Sequence, residues 1–111
     1  MSFHKHYSIV VYIPETHLEP VKRAMFAAGA GKVGNYQECC WQVAGEGQFR
    51  PMIGSKAFIG KVDELCKVQE FRVEMLCAEN VINAVILALK ESHPYETPAF
   101  HFVEVLTNET Y

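Results

Sequence analysis

Residues 6–13, HYSIVVYI, and residues 70–77, EFRVEMLC, share one alternating pattern of apolar side chains. In each stretch every second residue is apolar, which is typical of a half-buried β-strand. The two stretches are 64 positions apart. At that offset apolar residues coincide: Tyr7 falls on Phe71, Ile9 on Val73, Val11 on Met75 and Ile13 on Cys77. The coincidence predicts a chain built from two related halves.

Each of these strands leads into a helical pattern at the same offset. Thr16-x-x-Glu19 is typical of a capping box and predicts the start of the first helix, and a second helix is predicted over residues 79–91. Pro94 ends the second helix. The apolar stripes of the two helices also coincide: Leu18 falls on Ile82, Val21 on Val85 and Met25 on Leu89. Further along, Tyr36 falls on Phe100 and extends the repeat into a later strand.

The remaining strands give the predicted order of strand, helix, strand, strand, helix, strand. Strands are predicted over residues 35–44, 68–77 and 100–106, and residues 45–60, with four glycines, are predicted to form a long excursion. Two βαβ halves favour an α+β fold, a ferredoxin-like βαββαβ sandwich with an antiparallel four-stranded sheet and both helices on one face. The excursion makes a long glycine-rich β-hairpin. We predict a single ferredoxin-like domain over residues 1–111.

Composition limits the classes of function. The chain has 111 residues, 50% hydrophobic and 21% charged, with a formal net charge of −3. These values favour one globular domain and argue against a nonspecific nucleic-acid binder, which usually carries a basic excess. No apolar run approaches the roughly 18 residues of a membrane span. The four cysteines form no Cys-x-x-Cys pair. We therefore expect reduced thiols, a cytoplasmic location, and neither a nucleic-acid nor a membrane partner.

One face of the predicted sheet has no helix to cover it. Alternation places Val10, Tyr12 and Leu76 on that face, which is more apolar than a solvated face usually is. We expect this face to pack against further copies of the chain. The predicted partner is thus the chain itself, as a trimer or a dimer.

Two segments carry a family resemblance. The first is AGAGKVGNY at residues 28–36 with the spaced glycines of residues 45–60, and the second is HPYETP at residues 93–98. Together they resemble the inserted domain of the NGG-one-interacting-factor-three family, in its stand-alone, YqfO-type form. The second segment also resembles CutA, the divalent-cation-tolerance family. The resemblance implies a PII/CutA-like fold and a homo-oligomer but no known activity. The metal ligands of that family lie in flanking domains and are not carried over to this chain.

The first candidate site is the cluster His93, Tyr95 and Glu96. His93 can titrate near neutral pH, and His93 with Glu96 could ligate a divalent metal, the one cofactor that we consider. The alternative is a turn between helix and strand whose side chains brace a neighbouring subunit. The bracing role is the favoured interpretation.

The second candidate site is the glycine-rich stretch, with Phe49 and Arg50. Gln48, Arg50 and Lys56 provide donors and charge for an anion, yet the stretch lacks the phosphate-binding Gly-x-x-x-x-Gly-Lys-Ser/Thr pattern. The favoured alternative is a hairpin extension whose apolar side chains, Phe49 among them, dock on a neighbour. No local signature places a base beside a cysteine nucleophile.

The predicted function is therefore that of a non-catalytic, oligomeric binding or regulatory protein of unknown ligand, either a small molecule or a metal. The alternative is a divalent-metal-binding protein that uses His93 and Glu96. An enzyme with a site shared between subunits is the third class that we considered. We expect the chain not to be an enzyme.

Overall fold

The computed structural model describes residues 3–108. It contains four strands and two helices in the predicted order. The elements are β1 (His4–Pro14), α1 (Leu18–Ala27), β2 (Trp41–Phe49), β3 (Cys66–Ala78), α2 (Ile82–Ser92) and β4 (Phe100–Thr107).

The four strands form one antiparallel sheet in the order β2-β3-β1-β4. Both helices pack on the same face of it, which confirms the predicted α+β, ferredoxin-like fold. The core lies between that face and the helices, where side chains of β1 and β3 meet those of α1 and α2. Its fully buried members include Ile9, Val11, Ile13, Val21, Met25, Val73, Val85 and Leu89. These are the residues that the two periodic patterns assign to the core.

The repeat holds through the first strand and helix of each half. A single 3-10 turn precedes each helix, at Glu15–His17 and at Glu79–Val81, and these turns also lie 64 positions apart. The predicted capping box is wrong: no side chain caps α1, and the Thr16 hydroxyl instead hydrogen-bonds to the ring of His17. Thr16 lies inside the 3-10 turn, so His17 and not Thr16 occupies the N-cap position of α1.

The repeat breaks before the second strand of each half. Trp41 pairs with Glu74 in the place where His101 pairs with Val10, an offset of 60 residues in place of 64. The coincidence of Tyr36 with Phe100 is therefore wrong. Tyr36 lies in the connection after α1, where it pairs with Val33 in a local bridge and is 75% exposed.

The second strand begins and ends later than the sequence predicts. It covers Trp41–Phe49 instead of residues 35–44, so Gly45 and Gly47 lie inside a strand and the excursion covers residues 50–65. We call this segment the excursion loop. Glycines in a sequence usually predict a turn. Here Gly45 and Gly47 lie in the edge strand β2, and the side chain of Glu70 crosses the backbone closely at Gly47.

Neither helix among residues 3–108 has the length and apolar character that crossing a membrane requires. All four cysteines are present as thiols, with Cys77 buried. Burial raises the pKa of the Cys77 thiol to about 11.

Candidate functional site

The two candidate segments meet in one cleft at the end of the sheet. We call it the Tyr95 cleft. The end of β2, the excursion loop and the connection from α2 to β4 enclose about 410 Å³. Its lining residues are Gln48, Phe49, Arg50, Pro51, Met52, Ser55, Ala57, Glu70, Tyr95, Glu96, Thr97 and Ala99. Four of the five predicted site residues thus line the same cleft, and His93 lies directly behind it.

Tyr95 forms the back of the cleft. Its hydroxyl donates a hydrogen bond of 2.7 Å to Glu70 Oε2 on β3. Burial raises the pKa of Tyr95, and the hydrogen bond to Glu70 and the negative charge of that carboxylate raise it further. The hydroxyl therefore stays protonated and remains a donor across the physiological range.

Glu70 reaches Tyr95 because residue 47 has no side chain. A Cβ atom at Gly47 would overlap Glu70 Oε1, which means that the carboxylate lies across the bare backbone of β2. At Gly45, two residues earlier, a Cβ atom would meet nothing within 4 Å. Glu70 was not predicted as a site residue, since its own stretch of sequence shows only the alternation of a strand.

His93 supports Tyr95 from behind. Its Nε2 atom lies 2.8 Å from the carbonyl oxygen of Tyr12, and its Nδ1 atom accepts the backbone N–H of Tyr95 at 3.2 Å. These partners assign the neutral tautomer with the proton on Nε2. Burial lowers the pKa of His93, although the Tyr12 carbonyl and the nearby Glu70 oppose that shift.

The arrangement of His93 bears on the predicted metal site. Both ring nitrogens are used by hydrogen bonds within the chain, so a metal ion would have to displace one of them. Across residues 3–108, no three His, Cys, Asp or Glu side chains come together in a group that could hold a metal ion. Metal binding by His93 and Glu96 stays a prediction.

Glu96 ties the excursion loop to the cleft. Its Oε1 atom accepts the backbone N–H of Lys56 at 2.7 Å, across 40 residues of sequence. Two aromatic rings add to this contact, because Phe49 and Phe58 pack at 6.1 and 6.3 Å from the ring of Tyr95. The position of the excursion loop is therefore coupled to the residues that line the cleft.

Arg50 braces the excursion loop from within. Its Nη1 atom donates to the carbonyl oxygen of Asp63 at 2.7 Å, and the Asp63 N–H donates to the carbonyl oxygen of Pro51 at 2.7 Å. Asp63 has a φ of 62°, an uncommon value for a residue other than glycine. The two hydrogen bonds hold the start and the end of the loop together.

The face of the sheet away from the helices is partly apolar. Trp41, Val43 and Val103 lie on it and are 62%, 44% and 54% exposed. The sequence predicted Val10 for this face, and Val10 is only 5% exposed in the single chain. The exposed apolar surface is thus concentrated on the outer strands.

Comparison with known proteins finds relatives by sequence. A protein of Halalkalibacterium halodurans is 43% identical over 94 residues, covering 85% of this chain and 25% of the relative. A protein of Mycobacterium tuberculosis is 43% identical over 91 residues, covering 82% of this chain and 24% of the relative. Both are named GTP cyclohydrolase 1 type 2 homolog. The chain spans about a quarter of the length of these relatives. A scan against models of protein families finds no match.

Solved structures of similar fold include a member of the same family. A Bacillus cereus protein related to NIF3 superposes with a TM-score of 0.80 at 32% identity, covering 98% of this chain and 28% of that protein. CutA from Xylella fastidiosa gives 0.62 at 20% identity, covering 90% of this chain and 83% of CutA. The GlnK–ATP complex of B. subtilis gives 0.58 at 8% identity, covering 91% and 83%. The last two show that the fold is shared with CutA and with PII-like proteins.

Proposed function

The chain belongs to the NIF3-related family of GTP cyclohydrolase 1 type 2 homologs, of which it matches the PII/CutA-like portion, and we propose that it is a non-catalytic regulatory domain that binds a small ligand. A binding or regulatory role is supported by the fold shared with CutA and PII-like proteins. The finer statement, that the Tyr95 cleft is the binding site, is our proposal.

One observation carries this proposal: two segments far apart in sequence close around one cleft. Phe49 and Arg50 come from the end of β2, and Tyr95 and Glu96 come from the connection between α2 and β4. A volume of about 410 Å³ is within the range of small-molecule sites. Aromatic rings line the cleft beside a few polar groups, which is the usual composition of such a site.

The hydrogen bond between Glu96 and the Lys56 amide suggests how binding could be transmitted. A ligand that takes over Glu96 Oε1 would release the Lys56 amide, and a ligand that leaves this bond intact would hold the excursion loop in place. A ligand of the first kind would then change the position of the loop, and one of the second kind would stabilise it. Such coupling between a site and a loop is what a regulatory domain needs.

The arrangement of His93 favours binding over catalysis. A general base needs an available ring nitrogen close to its substrate, and both nitrogens of His93 are occupied behind Tyr95. We propose that His93 is a positioning residue, which holds the Tyr95 backbone in place.

Self-association through the apolar sheet face is also part of the proposal. Trp41, Val43 and Val103 expose large apolar side chains on a face that no helix covers. Covering them with a second or third copy of the chain would remove this surface from water. The fold shared with CutA and with PII-like proteins supports the proposal that copies of this chain associate.

Ligand binding can be tested on the isotope-labelled chain by NMR. We expect at least one compound in a set of nucleotides, amino acids, amines and organic acids to shift the amide signals of Gly47, Thr97 and Ala99. Tyr95→Ala should abolish these shifts, and Tyr36→Ala, at an exposed tyrosine outside the cleft, should leave them unchanged. Saturable shifts confined to another part of the chain would contradict the assignment of the site.

A further inference from the structure

We propose that the Tyr95 cleft selects a small organic cation, a protonated amine or a guanidinium group, over an anion. This inference rests on the proposed function, because it names the ligand class of the same cleft. It follows from the charges and the aromatic rings that line the cleft.

Two carboxylates in the cleft lack a positive partner. Glu70 accepts a hydrogen bond from the Tyr95 hydroxyl, and Glu96 accepts one from the Lys56 amide. Both donors are neutral, and no ion pair formed within residues 3–108 includes either carboxylate. Each hydrogen bond fixes one carboxylate oxygen in place without cancelling the charge. The cleft therefore holds two oriented negative charges.

Arg50 is the one basic side chain in the lining. Arg50 donates from Nη1 to the carbonyl oxygen of Asp63, which braces the excursion loop. Lys56 contributes its backbone N–H to Glu96. The positive charge of Arg50 offsets only one of the two carboxylates, so the lining stays net negative and binding of a phosphate group is disfavoured.

The remaining lining suits a cation. The rings of Phe49 and Tyr95 both line the cleft, 6.1 Å apart and tilted by 56°, so a cation bound there can contact an aromatic ring. The Ser55 hydroxyl oxygen is buried at the cleft and has no hydrogen-bond partner among the described residues. A hydrogen-bonding group of a ligand would satisfy it. The carboxylates and the rings thus favour a cation, and the Ser55 hydroxyl offers a further hydrogen-bonding group to any polar ligand.

Agmatine is a suitable probe, because it carries both a guanidinium and an ammonium group. We expect agmatine to shift the amide signals of Gly47, Thr97 and Ala99 saturably, and ATP and inorganic phosphate to leave them unchanged. The double variant Glu70→Gln, Glu96→Gln keeps both acceptor oxygens and should weaken agmatine binding at least tenfold. Glu91→Gln, which removes one exposed charge from α2, should bind agmatine as the unmodified chain does.

Each contrary result has a definite meaning. Binding of ATP or phosphate at these amides, with none of agmatine, would overturn the cation inference and leave the proposed function standing. Unchanged agmatine affinity in the double variant would also overturn the inference. If none of the three probes shifted the cleft signals, the inference would fail. A different compound from the wider set would then be needed to uphold the proposed function.

Discussion

Val10 and Glu74 face each other across β1 and β3, and they are also equivalent residues of the 64-residue repeat. A residue can lie opposite its own equivalent only where an approximate two-fold axis passes between the two strands. The axis relates β1 and α1 to β3 and α2, and it makes the outer strands β2 and β4 equivalent. On the face away from the helices, it matches Trp41 with His101.

Trp41 exposes a large apolar side chain where the equivalent residue on β4, His101, is polar. Self-association should therefore be most sensitive to substitution of Trp41. Trp41→Ser removes a large apolar side chain that is 62% exposed in the single chain, and we expect it to weaken self-association by about 2 kcal/mol or more. Multi-angle light scattering over a concentration series measures this. Leu87→Ser, at a similarly exposed leucine on α2, should leave the mass unchanged. A monomeric mass for the unmodified chain at micromolar concentration would contradict the proposed oligomer.

Alanine at Gly47 should separate Glu70 from Tyr95. The new Cβ would occupy the path of the Glu70 carboxylate, so that side chain would swing away and lose its hydrogen bond. We expect Gly47→Ala to lower the free energy of unfolding by about 1 kcal/mol, measured by urea denaturation. Gly45→Ala meets open space and serves as the matched control. Equal effects of the two substitutions would show that the close approach has no energetic consequence.

The hydrogen bond between Tyr95 and Glu70 can be measured by a double-mutant cycle. Tyr95→Phe keeps the ring contacts with Phe49 and Phe58 and loses only the hydroxyl. We expect a cost of about 1–2 kcal/mol in the free energy of unfolding, because the acceptor is charged. In a Glu70→Ala background the same substitution should cost far less. Additive effects would mean that the bond contributes nothing to stability.

The buried His93 predicts a pH dependence of stability. Burial lowers the pKa of its folded imidazole, so the unfolded chain, with an ordinary value near 6.5, takes up the proton first. The free energy of unfolding should therefore fall as the pH drops below about 6.5 and level off below the lowered folded pKa. His93→Gln should flatten this dependence, and it should cost about 1–3 kcal/mol at pH 7.5, since the Tyr95 N–H loses the ring nitrogen that accepts it.

Urea denaturation between pH 5 and pH 8 tests this prediction. His101→Gln, at an exposed histidine of β4, is the control and should retain the pH dependence of the unmodified chain. A dependence that survives in His93→Gln would assign it to other groups.

Divalent-metal binding by His93 and Glu96 is the alternative function, and the hydrogen bonds of His93 make it testable. A zinc ion could bind the ring only by replacing the Tyr95 amide or the Tyr12 carbonyl. We therefore expect stoichiometric zinc to leave the ring nitrogen signals of His93 unchanged in NMR. A shift of these signals that Glu96→Gln abolishes would establish the alternative.

The candidate site was predicted in part. His93, Tyr95, Glu96, Phe49 and Arg50 were selected as two separate groups, and the structure places four of them in one cleft with His93 behind it. Glu70 and Ser55 were missed. A glutamate in an alternating strand and a serine in a loop show nothing of their role until the segments that they face are known.

By itself, the sequence determined the type and order of the elements, because side-chain periodicity reports which face of a strand or helix is buried. The repeated pattern of β1 and β3, with the two helical stripes and the two outer strands, predicted the ferredoxin-like fold. The ends of β2 depended on tertiary structure, since pairing with β3 sets where an edge strand begins and ends. For the same reason the change of offset from 64 to 60 residues before β2 was not predicted. Tertiary structure alone brought Lys56 to Glu96 and Tyr95 to Glu70, because contacts across 40 and 25 residues depend on how the loops pass over the sheet.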